Sequence, residues 1–271
     1  MRLFLLLLLA LSASAESLRV LSFNVRYANP QDGANIWENR RDLFLRTVRE
    51  ANPDLMGTQE LLKSQGDDIA RAMPELTWFG VGRRGDATDE HMGVFYRKDR
   101  LELLSSGNFW LSETPEIPGS SHWNMSLPRM VTWGRFKTRA GVEFLFLNTH
   151  FPHRGNDEPA RQMNARVIAS RIALHDPALP ILVTGDFNAP AGGPTWKLLV
   201  PPMKDAWLEA PKKSGPEGTF HGFTGKPGAA RIDWILFRAP WRVLETHALT
   251  AHDGPLYPSD HFPVLAVFDL P

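Results

Sequence analysis

Asp186 and Asn188 stand two apart in Gly185-Asp186-Phe187-Asn188, directly after the apolar run 181–183. Both side chains can therefore project the same way beyond a strand end. Ser259-Asp260-His261 sets a carboxylate beside an imidazole just ahead of the apolar run 264–268. Such a pair suits proton transfer or the neutralising of an anion. Taken singly, each motif also has an inert reading, the first as an Asx turn and the second as a solvated loop. Glu60, His150 and Asp233 repeat the pattern, each closing or interrupting an apolar strand. Five such endings point to one cleft at the ends of several strands.

The elements that must position these groups follow from periodicity. Residues 18–25 alternate after Leu18 and read as a strand with Asn24 near its end. Trp37, Phe44, Val48 and Ala51 recur at helical spacing as far as the Asn52-Pro53 stop. Residues 54–60 form a short strand ending in Glu60, and 61–73 return to a helix. From Trp78 to Phe136 short β-rich runs at 92–96, 101–111 and 130–136 predict an antiparallel meander. The mostly apolar strand 142–150 delivers His150. A helix over about 158–175 is expected to bury Ala160, Met163, Val167 and Leu174. The runs 181–186, 231–237 and 264–268 complete the strands. Strands outnumber helices and are only partly separated by them. This predicts an α/β fold of two packed mixed sheets with helices outside, rather than one doubly wound sheet.

Composition narrows the chemistry. The 271 residues carry 30 Lys+Arg against 30 Asp+Glu, so no global field recruits a polyanion. Cysteine is absent, which excludes disulfides, thiolate metal sites and cysteine nucleophiles. Met1-Arg2, the apolar run 3–11 and Ser12-Ala13-Ser14-Ala15 form a signal peptide with cleavage expected after Ala15. The apolar run falls well short of the ~20 residues that span a bilayer. The expected product is a monomeric single domain, 16–271, exported to a bacterial periplasm or secreted, with no transmembrane segment.

Ser22-Phe23-Asn24-Val25-Arg26-Tyr27, Thr58-Gln59-Glu60, Asn148-Thr149-His150-Phe151, Gly185-Asp186-Phe187-Asn188, Arg231-Ile232-Asp233 and Ser259-Asp260-His261 occur in this order along the mature chain. In this the chain resembles the endonuclease/exonuclease/phosphatase (DNase I-like) superfamily, and particularly its exported bacterial metal-dependent hydrolases. The resemblance implies a four-layered α-β-β-α sandwich and metal-dependent cleavage of a phosphate ester. It makes Glu60 the principal metal ligand, with Asn24 and Asp260 lining the same site. It makes Asp186 the group that activates water and Asn188 the one that positions water or phosphate. His261, its ring held by Asp233, would stabilise the phosphoryl oxygens, and His150 would be a second imidazole at the phosphate and a proton donor. Oxygen ligands of this kind suit Mg²⁺, with Mn²⁺ as a substitute.

Substrate is less legible. The long segment 110–129 can wall the cleft, with Trp110, Trp123 and Arg129 placed to stack on and clamp a ring-bearing ester, although the tryptophans equally suit a minor core. Arg154 and His91 are further candidates for phosphate contact. Relatives often carry an acid or small polar residue where Phe151-Pro152-His153-Arg154 places proline, histidine and arginine, which leaves the roles of His153 and Arg154 open. The basic pairs Arg40-Arg41, Arg83-Arg84 and Lys212-Lys213 are scattered, so there is no strong nucleic-acid signature. A small phosphorylated molecule, a phosphosugar or a lipid head group is slightly favoured. A secreted nuclease of the same mechanism and a non-catalytic phospho-ligand-binding module are the alternatives.

Overall fold

A computed structural model describes residues 17–200 and 202–269. The expected signal peptide, residues 1–15, lies outside the described residues. In chain order the strands are β1 (Ser17–Asn24), β2 (Leu55–Gln59), β3 (Leu76–Phe79), β4 (Val94–Arg97), β5 (Leu101–Trp110), β6 (Met130–Thr138), β7 (Glu143–His150), β8 (Ile181–Asp186), β9 (Lys204–Asp205), β10 (Lys212–Ser214), β11 (Asp233–Arg238), β12 (Arg242–Ala248) and β13 (Val264–Asp269). The helices are α1 (Trp37–Ala51), α2 (Lys63–Ala72), α3 (Glu158–Ala173) and two single turns, α4 (Trp196–Leu199) and α5 (Ala206–Glu209). One mixed sheet runs β10-β12-β13-β1-β2-β4-β3 and the other β5-β6-β7-β8-β11-β9.

Side chains alternate across each strand, and this places every layer. Leu18 and Val20 of β1, Leu55 of β2, Phe144 and Phe146 of β7, Leu182 of β8, Ile235 of β11 and Phe268 of β13 meet between the sheets. The alternate residues face outward. Leu21, Phe23, Met56 and Leu265 pack under Phe44 and Val48 of α1 and Ile69 of α2. On the other side Leu145, Leu147, Val183 and Leu236 pack under Ala165, Ile168 and Ile172 of α3. The result is the four-layered α-β-β-α sandwich predicted from sequence.

Toward one end of the sandwich the inward series turns polar. Val20 is followed on the same face by Ser22 and Asn24, Leu55 by Gly57 and Gln59, Phe146 by Asn148 and His150, and Leu182 by Thr184 and Asp186. β11 runs antiparallel to β8 and pairs Asp233 with Asp186, while parallel β7 pairs His150 with Asp186. One register thus collects the strand-end groups of the second sheet. Beneath them Asn148 ties the sheets together, accepting from Gln59 at 2.7 Å and Thr184 at 3.0 Å and donating to the carbonyls of Thr58 and Gly93.

Two expectations are corrected and one strand is added. The runs between Trp78 and Phe136 are not one meander: β3 and β4 pair in the first sheet and β5 and β6 in the second, the chain crossing between sheets after Arg97. The buried face of α3 is not the row of Met163 and Leu174, which are 37% and 79% exposed. It is Ala160, Arg161, Asn164, Ala165, Ile168 and Ile172, a row disguised by two polar residues. Arg161 spends its guanidinium on the carbonyls of Pro152 and Arg154 and on Glu158, which permits burial at that position. Finally, β12 escaped notice because a bulge between Val243 and Glu245 interrupts its alternation.

Candidate active site

The polar end of the sandwich opens into a cavity of about 610 Å³. Its lining includes Glu60, His150, Asp186, Asn188, Asp260 and His261, so the structure brings together most of the residues singled out in the sequence. Asn24 and Asp233 sit directly behind them, both 1% exposed.

One chain of hydrogen bonds reaches Asp186, and a second ends at a histidine 3.7 Å from it. In the first, the Asn24 amide donates to Asp186 at 3.0 Å and to Glu60 at 3.2 Å, linking the two sheets. In the second, Asp233 holds His261 Nδ1 at 2.9 Å, and the opposite ring nitrogen lies 3.7 Å from Asp186. The Asn188 backbone N–H donates to Asp186 at 2.9 Å, and the Asn188 amide meets His150 Nε2 at 3.1 Å and the Phe151 carbonyl at 3.0 Å. Ser259 donates to the Asn24 carbonyl at 2.6 Å, fastening the Asp260-His261 turn to the end of β1.

Backbone conformation at the site is unusual. Arg26, Glu60 and Asn188, each one or two residues beyond a strand end, have φ of 52°, 58° and 48°. Non-glycine residues in the left-handed region cost about 1 kcal/mol or more each and persist where surrounding contacts impose them. Here the reversal turns each side chain back toward the cavity at the strand end.

The electrostatics separate the roles. Burial and the neighbouring Asp233 carboxylate push Asp186 up to about 7, against the pull of His261 and two donated hydrogen bonds. Although burial penalises its charge, His261 rises well above the ordinary histidine range because Asp233 and Asp186 flank it. His150 goes the other way: burial, Arg129 and His261 hold it well below that range. A neutral His150 is a hydrogen-bonding ring that meets the Asn188 amide at Nε2. Arg129, 2% exposed, has no carboxylate partner among the described residues. Its Nη2 donates to His153 Nδ1 at 3.1 Å, and its buried Nη1 has no acceptor.

The oxygen donors fit a hard cation. Glu60 Oε2 receives the Tyr27 N–H only at 3.3 Å and Arg26 at 3.8 Å, while Asp260 lies 4.0 Å from Arg26. Neither carboxylate is committed to a close ion pair, and both line the cavity. Asp186, Asp233 and His261 also offer ligand atoms within 4.8 Å of one another. There, however, Asp233 is already bound to the imidazole.

Four substrate candidates fall elsewhere. Trp110 is 4% exposed, packs with Met92 and Met130 and donates to the Arg83 carbonyl at 2.7 Å, so it belongs to a minor core. Arg154 is paired with Asp157 and caps the approach to α3, and neither it nor Trp123 lines the cavity. His91 is buried against Trp78. Sequence reasoning missed Arg26, Arg83, Glu90 and Phe220, all of which line the cavity. Arg83 belonged to a pair dismissed as scattered, and its partners Asp89 and Glu90 six and seven residues on were the available signal.

Comparison with known proteins agrees with this geometry. The solved structure of a mannosyl-6-phosphatase from Bacteroides thetaiotaomicron is 33% identical, matches 93% of this chain and 100% of its own, and superposes with a TM-score of 0.87. An endonuclease/exonuclease/phosphatase from Bacteroides vulgatus is 35% identical over 94% of this chain and 100% of its own, with a TM-score of 0.88. An uncharacterized protein of Acanthamoeba polyphaga mimivirus is 25% identical over 160 residues, 56% of this chain; the chain spans about three fifths (59%) of that protein's length. The profile of the Endonuclease/Exonuclease/phosphatase family matches residues 21–261, and the chain belongs to that family.

Proposed function

We propose that this member of a family of phosphate-ester hydrolases is an exported, Mg²⁺-dependent phosphatase of small phosphorylated molecules, with phosphosugars first among them. The observation that carries the reading is the gathering of Glu60, Asn24, Asp186, His261 and Asp233 at the cavity floor, where Asn24 is hydrogen-bonded to Glu60 and Asp186, Asp233 is hydrogen-bonded to His261, and His261 Nε2 lies 3.7 Å from Asp186. The phosphatase activity named for a relative 33% identical over nearly the whole chain supports it.

Glu60, Asp260 and Asn24 would hold the divalent cation, which would supply positive charge against the phosphoryl oxygens. The chain's own groups do the rest. Asp186, pushed up to about 7, is suited to take a proton from the attacking water near neutral pH. His261, kept charged by Asp233, donates to the oxygens that become more negative in the transition state. Arg129 offers its free Nη1 to the same group. Asn188 and neutral His150 align water and ester, and the leaving oxygen takes its proton from solvent.

The test is phosphate release by residues 16–271 with Mg²⁺, Mn²⁺ or chelator, on sugar phosphates, inositol phosphates, nucleotides, nucleic acids and phospholipids. Metal-dependent release from sugar phosphates, reduced about a hundredfold or more in Asp186→Asn, is expected. Preferential cleavage of nucleic acid would make the chain a nuclease, and metal-dependent binding without turnover would make it a phospho-ligand-binding module. N-terminal sequencing of the protein from the bacterial envelope is expected to begin at Glu16.

A further inference from the structure

The cavity has a second polar wall that the reaction does not use. Arg83 is buried at 7% exposure and donates to Glu90 at 2.9 Å and Asp89 at 3.0 Å, which cancels its charge. Its Nε remains a buried donor without an acceptor. Glu90 takes that bond on Oε2 alone, and its Oε1 accepts no hydrogen bond among the described residues. His153, exposed in the same cavity lining, accepts the Arg129 guanidinium at Nδ1. An arginine can only donate, so His153 Nδ1 must present its lone pair, and the neutral ring carries its hydrogen on Nε2. Burial and Arg129 hold this ring below the ordinary histidine range, which is consistent with that tautomer.

From Arg83, Glu90 and His153 we infer a leaving-group subsite that recognises hydroxyl groups, so that the ester hydrolysed is that of a polyol or sugar. This rests on the phosphatase reading above. Hydroxyls are the groups that both donate and accept, and the cavity lining offers an unused acceptor, Glu90 Oε1, together with unused donors on Arg83 and His153. A second phosphate or a carboxylate at this wall would face the Glu90 carboxylate, which shares Arg83 with Asp89, and be repelled. A bare alkyl chain would desolvate these polar groups without replacing their hydrogen bonds, and sites of this kind reject such analogues strongly.

The test compares kcat/KM for the best of a set of hexose, pentose and glycerol phosphates with that for an alkyl phosphate of the same carbon number. The wild-type ratio is expected to be about tenfold or more. In Glu90→Gln it is expected to collapse toward one, the polyol ester losing far more than the alkyl ester. Because Glu90→Gln also unpairs Arg83, His153→Gln at the exposed rim provides a second variant with the same expected direction. Equal losses on both esters, or an unchanged ratio in both variants, would overturn the inference and leave these residues to the scissile phosphate or to the fold. If the wild type hydrolyses neither ester, calorimetric binding of the same pair to Asp186→Asn decides. A polyol preference abolished by Glu90→Gln supports the subsite while the hydrolase reading fails, and equal binding of the two esters overturns it.

Discussion

Asp233 shows how a buried group acts through another. It is 1% exposed, it reaches the cavity only through His261, and its second oxygen has no hydrogen-bond partner. Its charge does two things to its neighbours: it raises His261 and it raises Asp186. Asp233→Asn keeps the shape and removes the charge. His261 then loses its principal support and falls toward its burial-dominated value, while Asp186 loses a like-charge neighbour and falls toward the ordinary carboxylate range. The expected outcome is a loss of kcat on the order of a hundredfold with KM little changed, because a donor to the transition state is weakened while cavity contacts remain. The acidic limb of the pH–rate profile should also move to lower pH. Steady-state kinetics between pH 5 and 9 check both, and an unmoved limb would detach Asp233 from the titration of Asp186.

At the scale of elements, the two sheets approach closely just behind the site, and Gly57 on β2 is what permits it. A Cβ built there would lie 2.1 Å from Thr184 Oγ1 and 2.5 Å from Asn148 Oδ1, both on the opposite sheet. Gly57→Ala must therefore push the sheets apart or break the Asn148 cluster, at a cost of about 1–3 kcal/mol. The same displacement would lengthen the Asn24–Asp186 bond that spans the gap. A lowered Tm accompanied by lost turnover is expected, and a variant with wild-type Tm would show that the sheets part freely. None of this spacing was visible in the sequence, where Gly57 is one residue of a short strand. What was visible is what periodicity encodes: the strands ending in Asn24, His150 and Asp186, and the order of the motifs. Features that depend on partners distant in the chain stayed hidden. In the sequence Arg40 is only half of a scattered basic pair, and its neighbour Arg41 faces solvent at 43% side-chain exposure. Arg40 instead is fully buried and donates to the carbonyls of Asn35, Val25, Arg26 and Pro258, binding the end of β1 to the turn that carries Asp260. Only the tertiary fold supplies those acceptors.

Over the whole molecule, a chain with formal charge zero keeps several of its ionisable groups inside, and pH therefore acts on stability as well as on rate. His91, His150 and His221 are 2%, 3% and 4% exposed, and burial lowers each of them. His221 is the most readily isolated. It stacks on Phe262 at 4.0 Å, its N–H donates to the Asp260 carbonyl, and burial brings it down to about 4. Unfolded, it would take a proton near its ordinary 6.5. As pH falls below that value the unfolded chain binds a proton that the folded chain refuses until about 4, so this residue lowers stability progressively through that window. Asp186 and Glu90 oppose it, since their raised values make the folded chain take up protons first as pH falls. His261 contributes stability that is complete below its ordinary value and fades as pH rises through its raised one. The net slope mixes these signs, but the difference between two proteins does not. In chelator, His221→Asn should lose less stability than the wild type between pH 7 and pH 5, by on the order of 1 kcal/mol, because most of the differential protonation it removes falls in that window. Urea unfolding at the two pH values measures it; parallel losses would mean that His221 titrates in the folded protein as it does in the unfolded chain, and that the loop carrying Phe220 opens to solvent well before the rest of the fold.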